Sequence, residues 1–299
     1  MGKTLAQTLS KSSVQLTHPD RVYWPGKGVT KQHLADYYAQ VWPLMAPFVV
    51  HRPLALMRCP DGIDGPKFFQ KHAWKGINPH IEQIADPEDK NGEKLLRIKD
   101  FDGLIALVQS AALEIHPWGT TTDHWARPDM ITMDLDPAED VGWPEVIAAA
   151  QQLRKHFAAS GLASFVKTSG GKGLHVVAPL TPAASWPDVK EFAAAMAESM
   201  SADHPEKFLA TAAKDKRVGK IFIDYLRNGR GNTAVAAYSP RARPGAPVSM
   251  PLSWDQLEEV GGPADFNVNN VPAHLAAQSV DPWERFFKAA KPLPKAKAH

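Results

Sequence analysis

The chain has 299 residues, 44% of them hydrophobic and 22% charged, which suffices for one large or two modest globular domains and excludes a disordered or fibrous protein. No run of about eighteen apolar residues occurs and the N-terminus lacks an apolar h-region, so neither a membrane span nor a signal peptide is expected. A single cysteine, Cys59, excludes an internal disulfide and fits a reducing cytoplasm, whereas a net charge of +2 excludes little.

Residues 1–13 are polar and are expected to be flexible. His18-Pro19-Asp20-Arg21 and the residues up to Gly28 read as a short strand and turn. Thr30 is placed to cap a helix on which Leu34, Tyr37, Tyr38, Val41 and Trp42 recur at helical spacing. Lys31 falls in its first turn, where a cation opposes the macrodipole, so it is either a solvated accident or part of an anion site. Residues 52–58 form a strand candidate, and 67–72 another, carrying Phe68 and Phe69 between lysines. Adjacent residues of a strand face opposite sides, so one ring is core and the other is exposed or stacks on a base, unless both faces are buried. Residues 81–85 and 95–98 flank the very polar 86–94, a hairpin whose charged tip carries the Asn91-Gly92 turn. Residues 101–114 have a helical apolar stripe with Asp102 as cap, and a strand with a lone histidine, His116, follows.

Ile131-Thr-Met-Asp134-Leu-Asp136-Pro137 then reads as a strand, and alternation puts Asp134 and Asp136 on one face at its C-terminal rim. Paired carboxylates need a proton or a cation between them, and an all-oxygen site suits Mg²⁺ or Mn²⁺; the bland reading is two solvated aspartates. After an alanine-rich helix over 143–160, two strands flank Ser169-Gly-Gly-Lys172-Gly-Leu-His175. This is either a phosphate cradle or a flexible hairpin, and it is not a Walker loop because no helix-forming stretch follows. Lys220-Ile-Phe-Ile-Asp224-Tyr-Leu-Arg227 is a buried strand whose carboxylate pairs with Arg227 or joins the first two in a three-carboxylate cluster for two divalent ions. From Lys214 to Arg243 eight basic residues face only Asp215 and Asp224, which suits a phosphate-bearing ligand or a solvated surface. Helices are expected from Ser253 and over 281–290, and 291–299 resembles a linker.

Asp134-Leu-Asp136-Pro, Ser169-Gly-Gly-Lys-Gly-Leu-His175 and Phe222-Ile-Asp224-Tyr-Leu-Arg-Asn, in this order and spacing, resemble the polymerase domain of bacterial ATP-dependent DNA ligase D, within the archaeo-eukaryotic primase superfamily. The resemblance runs from His18 to the last helix. It implies a mixed α/β, α+β-like fold in which two packed, largely antiparallel β-sheets are flanked by helices around a primase-polymerase catalytic core. Residues 14–290 are expected to form one compact unit with two sub-modules. It also implies that Asp134, Asp136 and Asp224 hold two metal ions, Mn²⁺ or Mg²⁺. Ser169, Lys172, His175, Arg241 and Arg243 would bind the triphosphate, with Arg227 counted among the nucleotide-binding residues and His116 near the sugar. Arg21 and Lys31 would grip a 5′-phosphate, Phe68 and Phe69 would stack on template bases, and the 86–94 hairpin would reach the DNA end.

The activity so implied is two-metal addition of nucleotides, NTP in preference to dNTP, to a primer 3′-hydroxyl at gaps and double-strand breaks in non-homologous end joining. Expected partners are gapped or primer-template DNA with a 5′-phosphate, NTP, Ku, and attached ligase and nuclease modules, in the cytoplasm near the nucleoid and away from membranes. A metal-dependent phosphoesterase or nuclease using the same carboxylates, and a non-catalytic end-binding module using the basic residues and Phe68 and Phe69 alone, are the alternatives.

Overall fold

The computed structural model describes residues 10–213 and 216–294. Residues 1–9 of the expected flexible N-terminus, Lys214 and Asp215 of the basic stretch, and 295–299 of the expected linker lie outside the described residues. The chain divides into two compact units, each drawn from separate stretches. The first takes residues up to Pro117, Val235–Met250 and Phe266–Asp281, and the second takes Trp118–Ala234, Pro251–Asp265 and the residues from Pro282 onward.

In the first unit, β1 (Val22–Trp24) and β2 (Val29–Thr30) form a small antiparallel ribbon leading into α1 (Lys31–Val49). Thr30 caps α1 by accepting from the His33 N–H at 3.3 Å, and Leu34, Tyr37, Tyr38 and Val41 are buried along one side. A five-stranded antiparallel sheet follows from β3 (Leu54–Arg58), β4 (Phe68–Gln70), β5 (Glu82–Ala85), β6 (Lys94–Arg97) and β7 (Ala112–Pro117), in the order β4-β3-β6-β5 with β7 also paired to β3. The β5–β6 hairpin is the one its turn residues predict, Gly92 taking a φ of +71°. Between the last two strands, α2 (Phe101–Gln109) is capped by Asp100, which accepts from the Gly103 N–H at 2.9 Å. Asp102, the expected cap, instead accepts from the hydroxyls of Ser12 and Ser13, each at 2.6 Å, so those two residues are tied down. The helix stops short of Glu114 because Ala111, at a φ of +60°, turns the chain into β7.

The second unit is built on β8 (Met130–Pro137), α3 (Trp143–Ala159), β9 (Phe165–Thr168), β10 (Leu174–Pro179), α4 (Trp186–Asp203), β11 (Phe208–Leu209), β12 (Ile221–Asp224), β13 (Pro251–Leu252) and α5 (Trp254–Glu259). A last short helix, α6 (Val271–Ala277), belongs to the first unit. The sheet has six strands in the order β11-β12-β8-β10-β9-β13, antiparallel except for β11 on β12. Strand β8 therefore has neighbours on both sides, and its alternation is clean: Ile131, Met133 and Leu135 are fully buried while Asp134 and Asp136 look to the other face.

Besides the shortened α2, the short elements α6, β11 and β13 go unassigned in the pattern reading, and two larger differences stand out. Helix α4 is unassigned there, although Ser185 and Asp188 form a reciprocal capping box at its start. Residues 281–290 do not form an α-helix; only the 3₁₀ turn Phe287–Ala289 is helical. That segment is held by aromatic packing, Trp283 stacking on Phe286 at 4.9 Å and donating its indole N–H to the Val166 carbonyl at 3.1 Å. At the C-terminus, Lys291 accepts from the Thr181 N–H at 2.9 Å and donates to the Gly161 carbonyl at 3.0 Å. Among the described residues no helix is long and apolar enough to cross a membrane.

The glycine loop between β9 and β10 packs directly on β8. A Cβ on Gly173 would run into the Leu135 carbonyl of that central strand, and backbone cannot step aside as a side-chain tip can. Gly173→Ala is therefore expected to destabilise the protein by about 1–3 kcal/mol, the usual cost of overpacking. Urea denaturation checks this, and a wild-type midpoint would show the approach to be less tight than described.

Candidate active site

Strand register brings the chemistry of the second unit together. Asp224 at the end of β12 pairs with Asp134 on β8, Asp134 pairs with His175 on β10, and His175 pairs with Lys167 on β9. Four ionisable side chains thus stand in one row across four adjacent strands, and Asp136 lies two residues along β8 on the same face. Sequence reasoning places the three aspartates and His175 but misses Lys167, since a lysine inside Phe165-Val-Lys-Thr168 carries no motif.

Every member of the row is compensated. Arg227 donates through Nε to Asp224 at 3.0 Å and reaches Asp134 at 3.4 Å; Arg217 pairs with Asp136 at 2.8 Å and lies over the Phe222 ring at 4.4 Å. Asp224 thus has the Arg227 pairing that one reading expects, and strand register also sets it opposite Asp134. Lys167 Nζ is 3.0 Å from His175 Nδ1, and His175 Nε2 is 3.4 Å from Asp134. An ammonium can only donate, so Nδ1 accepts and the imidazole proton sits on Nε2, facing the carboxylate. Burial and the neighbouring ammonium push His175 down to about 4, so the ring is neutral at pH 7. Burial opposes ionisation of Asp134, yet His175, Arg227 and Lys167 together hold its carboxyl at about 2. Asp224 moves the other way: burial raises it, Arg227 resists, and Asp134 adds to the rise.

The turn that presents Arg227 has its own anchor. Asn228 is buried, accepts from the Thr132 N–H and donates to the Thr132 carbonyl, both at 2.8 Å, so one side-chain amide continues the ladder where β12 ends. Among the described residues no three His, Cys, Asp or Glu side chains converge into a ready metal cage, and guanidinium groups lie against the carboxylates. The donor set itself is all carboxylate oxygen, which fits a hard divalent cation rather than zinc or copper.

In the glycine loop, Ser169 is buried and its Oγ accepts from the N–H groups of Gly171 at 3.1 Å and Gly173 at 3.3 Å, closing the loop on itself. Lys172 is exposed and paired with Glu139 at 2.9 Å. The remaining predicted residues belong to the first unit. His116 Nε2 lies 2.8 Å from Glu114, and Arg241 Nε donates to the same carboxylate oxygen at 3.0 Å. Phe69 meets the His116 ring edge-on at 5.7 Å, while Phe68 and Phe69 are both half exposed. Arg243 is exposed on the same loop as Arg241. Lys31 is buried, donating to the Thr17 carbonyl at 2.8 Å, and Arg21 donates to the Pro60 carbonyl at 2.9 Å. Burial and the Arg21 charge lower the Lys31 ammonium, and among the described residues neither cation has a carboxylate partner.

The match to a family model covers residues 30–283 and is to the primase-polymerase domain of LigD. The chain belongs to the LigD primase-polymerase domain family. It is 38% identical over 279 residues to the multifunctional non-homologous end joining protein LigD of Pseudomonas aeruginosa, covering 93% of this chain and 33% of that protein. The bifunctional LigD of Bacillus subtilis is 27% identical, covering 95% of this chain and 47% of its own. The polymerase domain of Mycobacterium tuberculosis ligase D in complex with DNA superposes with a TM-score of 0.85 at 29% identity, covering 94% of this chain and all of that one. The chain thus spans about a third of the length of the first of these relatives, and the mixed α/β architecture is that of the ligase D polymerase domain.

Two outcomes test the geometry. Asn228→Ala leaves both Thr132 backbone groups without their partner, and urea denaturation should record a loss of about 2–4 kcal/mol; a loss under about 0.5 kcal/mol would mean that water replaces the amide. For Glu114, burial raises the carboxyl, but the hydrogen bond from His116, the Arg241 charge and the Ala242 N–H outweigh it and hold it at about 2. Its folded value lies below the roughly 4.3 of an unfolded glutamate, so the stability it adds is present above that pH and is lost as pH falls through about 2. Acid titration of Glu114→Gln should lack about 3 kcal/mol of that pH-dependent loss; a profile parallel to wild type would contradict the assignment.

Proposed function

We propose that this chain is the nucleotide-adding module of a bacterial end-joining repair protein, extending primer 3′-hydroxyls at gaps and double-strand break ends, with NTP preferred over dNTP. The observation that carries this reading is the row Asp224–Asp134–His175–Lys167 with Asp136 beside it, in a chain of the LigD primase-polymerase family. Asp134, Asp136 and Asp224 would hold two divalent ions, Mn²⁺ or Mg²⁺. When bound, such ions supply the positive charge that lowers the pKa of an attacking hydroxyl and neutralises phosphate oxygens.

The protein's own groups divide the remaining work. In the second unit, His175, Ser169, Lys172 and Arg227 bind the triphosphate, Lys172 with a mobile charge and His175 through its place beside Asp134. In the first unit, His116, Arg241 and Arg243 bind nucleotide, and the half-exposed Phe68 and Phe69 stack on bases. Arg21 and Lys31, two cations without a carboxylate partner among the described residues, take the 5′-phosphate of the break, Arg21 being suited to bidentate contact. DNA with a 5′-phosphate is the macromolecular partner, with ligase and nuclease modules in the same protein, in keeping with relatives named multifunctional and bifunctional, and with Ku as companion on the DNA.

Primer extension on a gapped duplex in Mn²⁺, with and without the 5′-phosphate, tests the reading. Extension should favour NTP and rise with the 5′-phosphate. Asp134→Ala and Asp136→Ala should each lose more than about a hundredfold in rate while DNA binding is kept, since even supporting residues of metal sites cost 10–100-fold. Full extension by either variant, or nucleotide release from DNA without added NTP, would overturn it.

A further inference from the structure

Glu114 carries none of the roles above, yet it is a buried carboxylate of the first unit engaged by three donors. It lies on β7 with 5% of its side chain exposed, and burying an uncompensated carboxylate would cost several kcal/mol. Three donors reach it: His116 Nε2 at 2.8 Å and Arg241 Nε at 3.0 Å on one oxygen, and the Ala242 N–H at 2.7 Å on the other. Strand register puts both Glu114 and Phe69 opposite Met57, so Phe69, Glu114 and His116 share one face of the sheet. The loop opposite is fixed as firmly. Trp24 donates its indole N–H to the Arg241 carbonyl at 3.1 Å, Lys67 donates to the Ala242 carbonyl at 3.0 Å, and the Arg241 N–H donates to the Pro247 carbonyl at 2.8 Å. Two side chains from distant parts of the sequence are thereby held on a single carboxylate, each with one nitrogen committed to it.

We infer that Glu114 is the positioning residue of the nucleotide-binding face: by accepting from His116 Nε2 and Arg241 Nε together, it fixes the imidazole that meets the sugar and the guanidinium that meets the phosphates in one mutual register. This rests on the reading of His116 and Arg241 as nucleotide-binding residues. The carboxylate also selects the His116 tautomer, because a nitrogen 2.8 Å from a carboxylate oxygen must carry hydrogen. Rotation of either ring or fork then requires breaking a buried charge-assisted bond, so the nucleotide meets groups already placed.

The test uses the full chain and the equilibrium binding of a fluorescent ATP analogue in Mn²⁺, with thermal melting of each variant. Glu114→Gln retains the shape but sets an amide donor against one of the three donors. It should weaken nucleotide binding about tenfold, as loss of an orienting partner typically does, with binding of duplex DNA unchanged within about twofold. His116→Ala and Arg241→Ala should each cost less in the Glu114→Gln background than in wild type, a coupling that a purely structural carboxylate would not produce. Independently of whether these variants fold, ring-nitrogen NMR shifts of wild-type His116 should report hydrogen on Nε2. Glu114→Gln with wild-type nucleotide affinity, additive losses in the double variants, or a His116 bare at Nε2 would each overturn the assignment. Wild-type protein that binds no nucleotide would overturn the functional reading and this one with it, whereas wild-type binding with an indifferent Glu114→Gln removes only this one.

Discussion

A carboxylate cannot stand uncompensated in the middle of a sheet, and the second unit is arranged around that constraint. β8 carries Asp134 between two neighbouring strands, so whatever neutralises it must come from those strands or from beyond them. On one side the neighbour is Asp224, which worsens the problem; on the other it is His175, a neutral ring that offers Asp134 a hydrogen bond but no charge. Positive charge is therefore drawn from the ends of the row, from Lys167 behind the histidine and from Arg227 beyond the last strand. The turn after β12 is short and rigidly held by Asn228, because Arg227 must return over the carboxylates of the strand it has just left. Two carboxylates opposite one another, with one raised by burial and the other held low, also describe a place where a further positive charge is favourable.

The first unit meets the same constraint with a different solution. Its buried carboxylate, Glu114, is saturated by three donors and has no carboxylate beside it, so it is held at about 2 and binds its neighbours instead of inviting a cation. The contrast is electrostatic: like charges in register draw on several cations, here Arg227, Arg217 and Lys167, whereas one acid among an imidazole, a guanidinium and an amide is satisfied within its own cluster. The 5′-phosphate candidates, Arg21 and Lys31, present the converse case, two cations without a carboxylate partner among the described residues, the lysine lowered first by burial and then by repulsion from Arg21. An anion at that spot would relieve it.

Much of this was legible from the chain, and the boundary of legibility has a physical cause. Alternation along one strand is local, so the common face of Asp134 and Asp136 could be read from seven residues. Register between strands is not local. Nothing in Lys220-Ile-Phe-Ile-Asp224 specifies that Asp224 sits opposite Asp134, and nothing in Phe165-Val-Lys-Thr168 marks Lys167 as the partner of a histidine eight residues later. The same limit explains residues 281–290, whose apolar spacing permits a helix, but whose conformation is decided by stacking of Trp283 and Phe286 and a bond to Val166. The cap at Asp100 in place of Asp102 differs for a related reason: the serines that claim Asp102 come from some ninety residues earlier.

The glycine loop shows why a letter pattern alone underdetermines chemistry. Ser169-Gly-Gly-Lys-Gly was equally a phosphate cradle or a plain hairpin, and the structure gives its residues structural duties that neither reading required. Gly173 is small because the Leu135 carbonyl occupies the space a Cβ would take, and Ser169 accepts from two loop amides that a cradle would turn toward an anion. Those duties do not argue against binding; they fix where it can occur. A loop pressed onto β8 cannot drift from the carboxylates, so Lys172 at its tip is confined near the end of the strand that carries Asp134 and Asp136, already pairing with Glu139 just beyond that strand. What the glycines give this loop is thus less freedom than the rigidity of close packing on β8 that their absence of side chains allows.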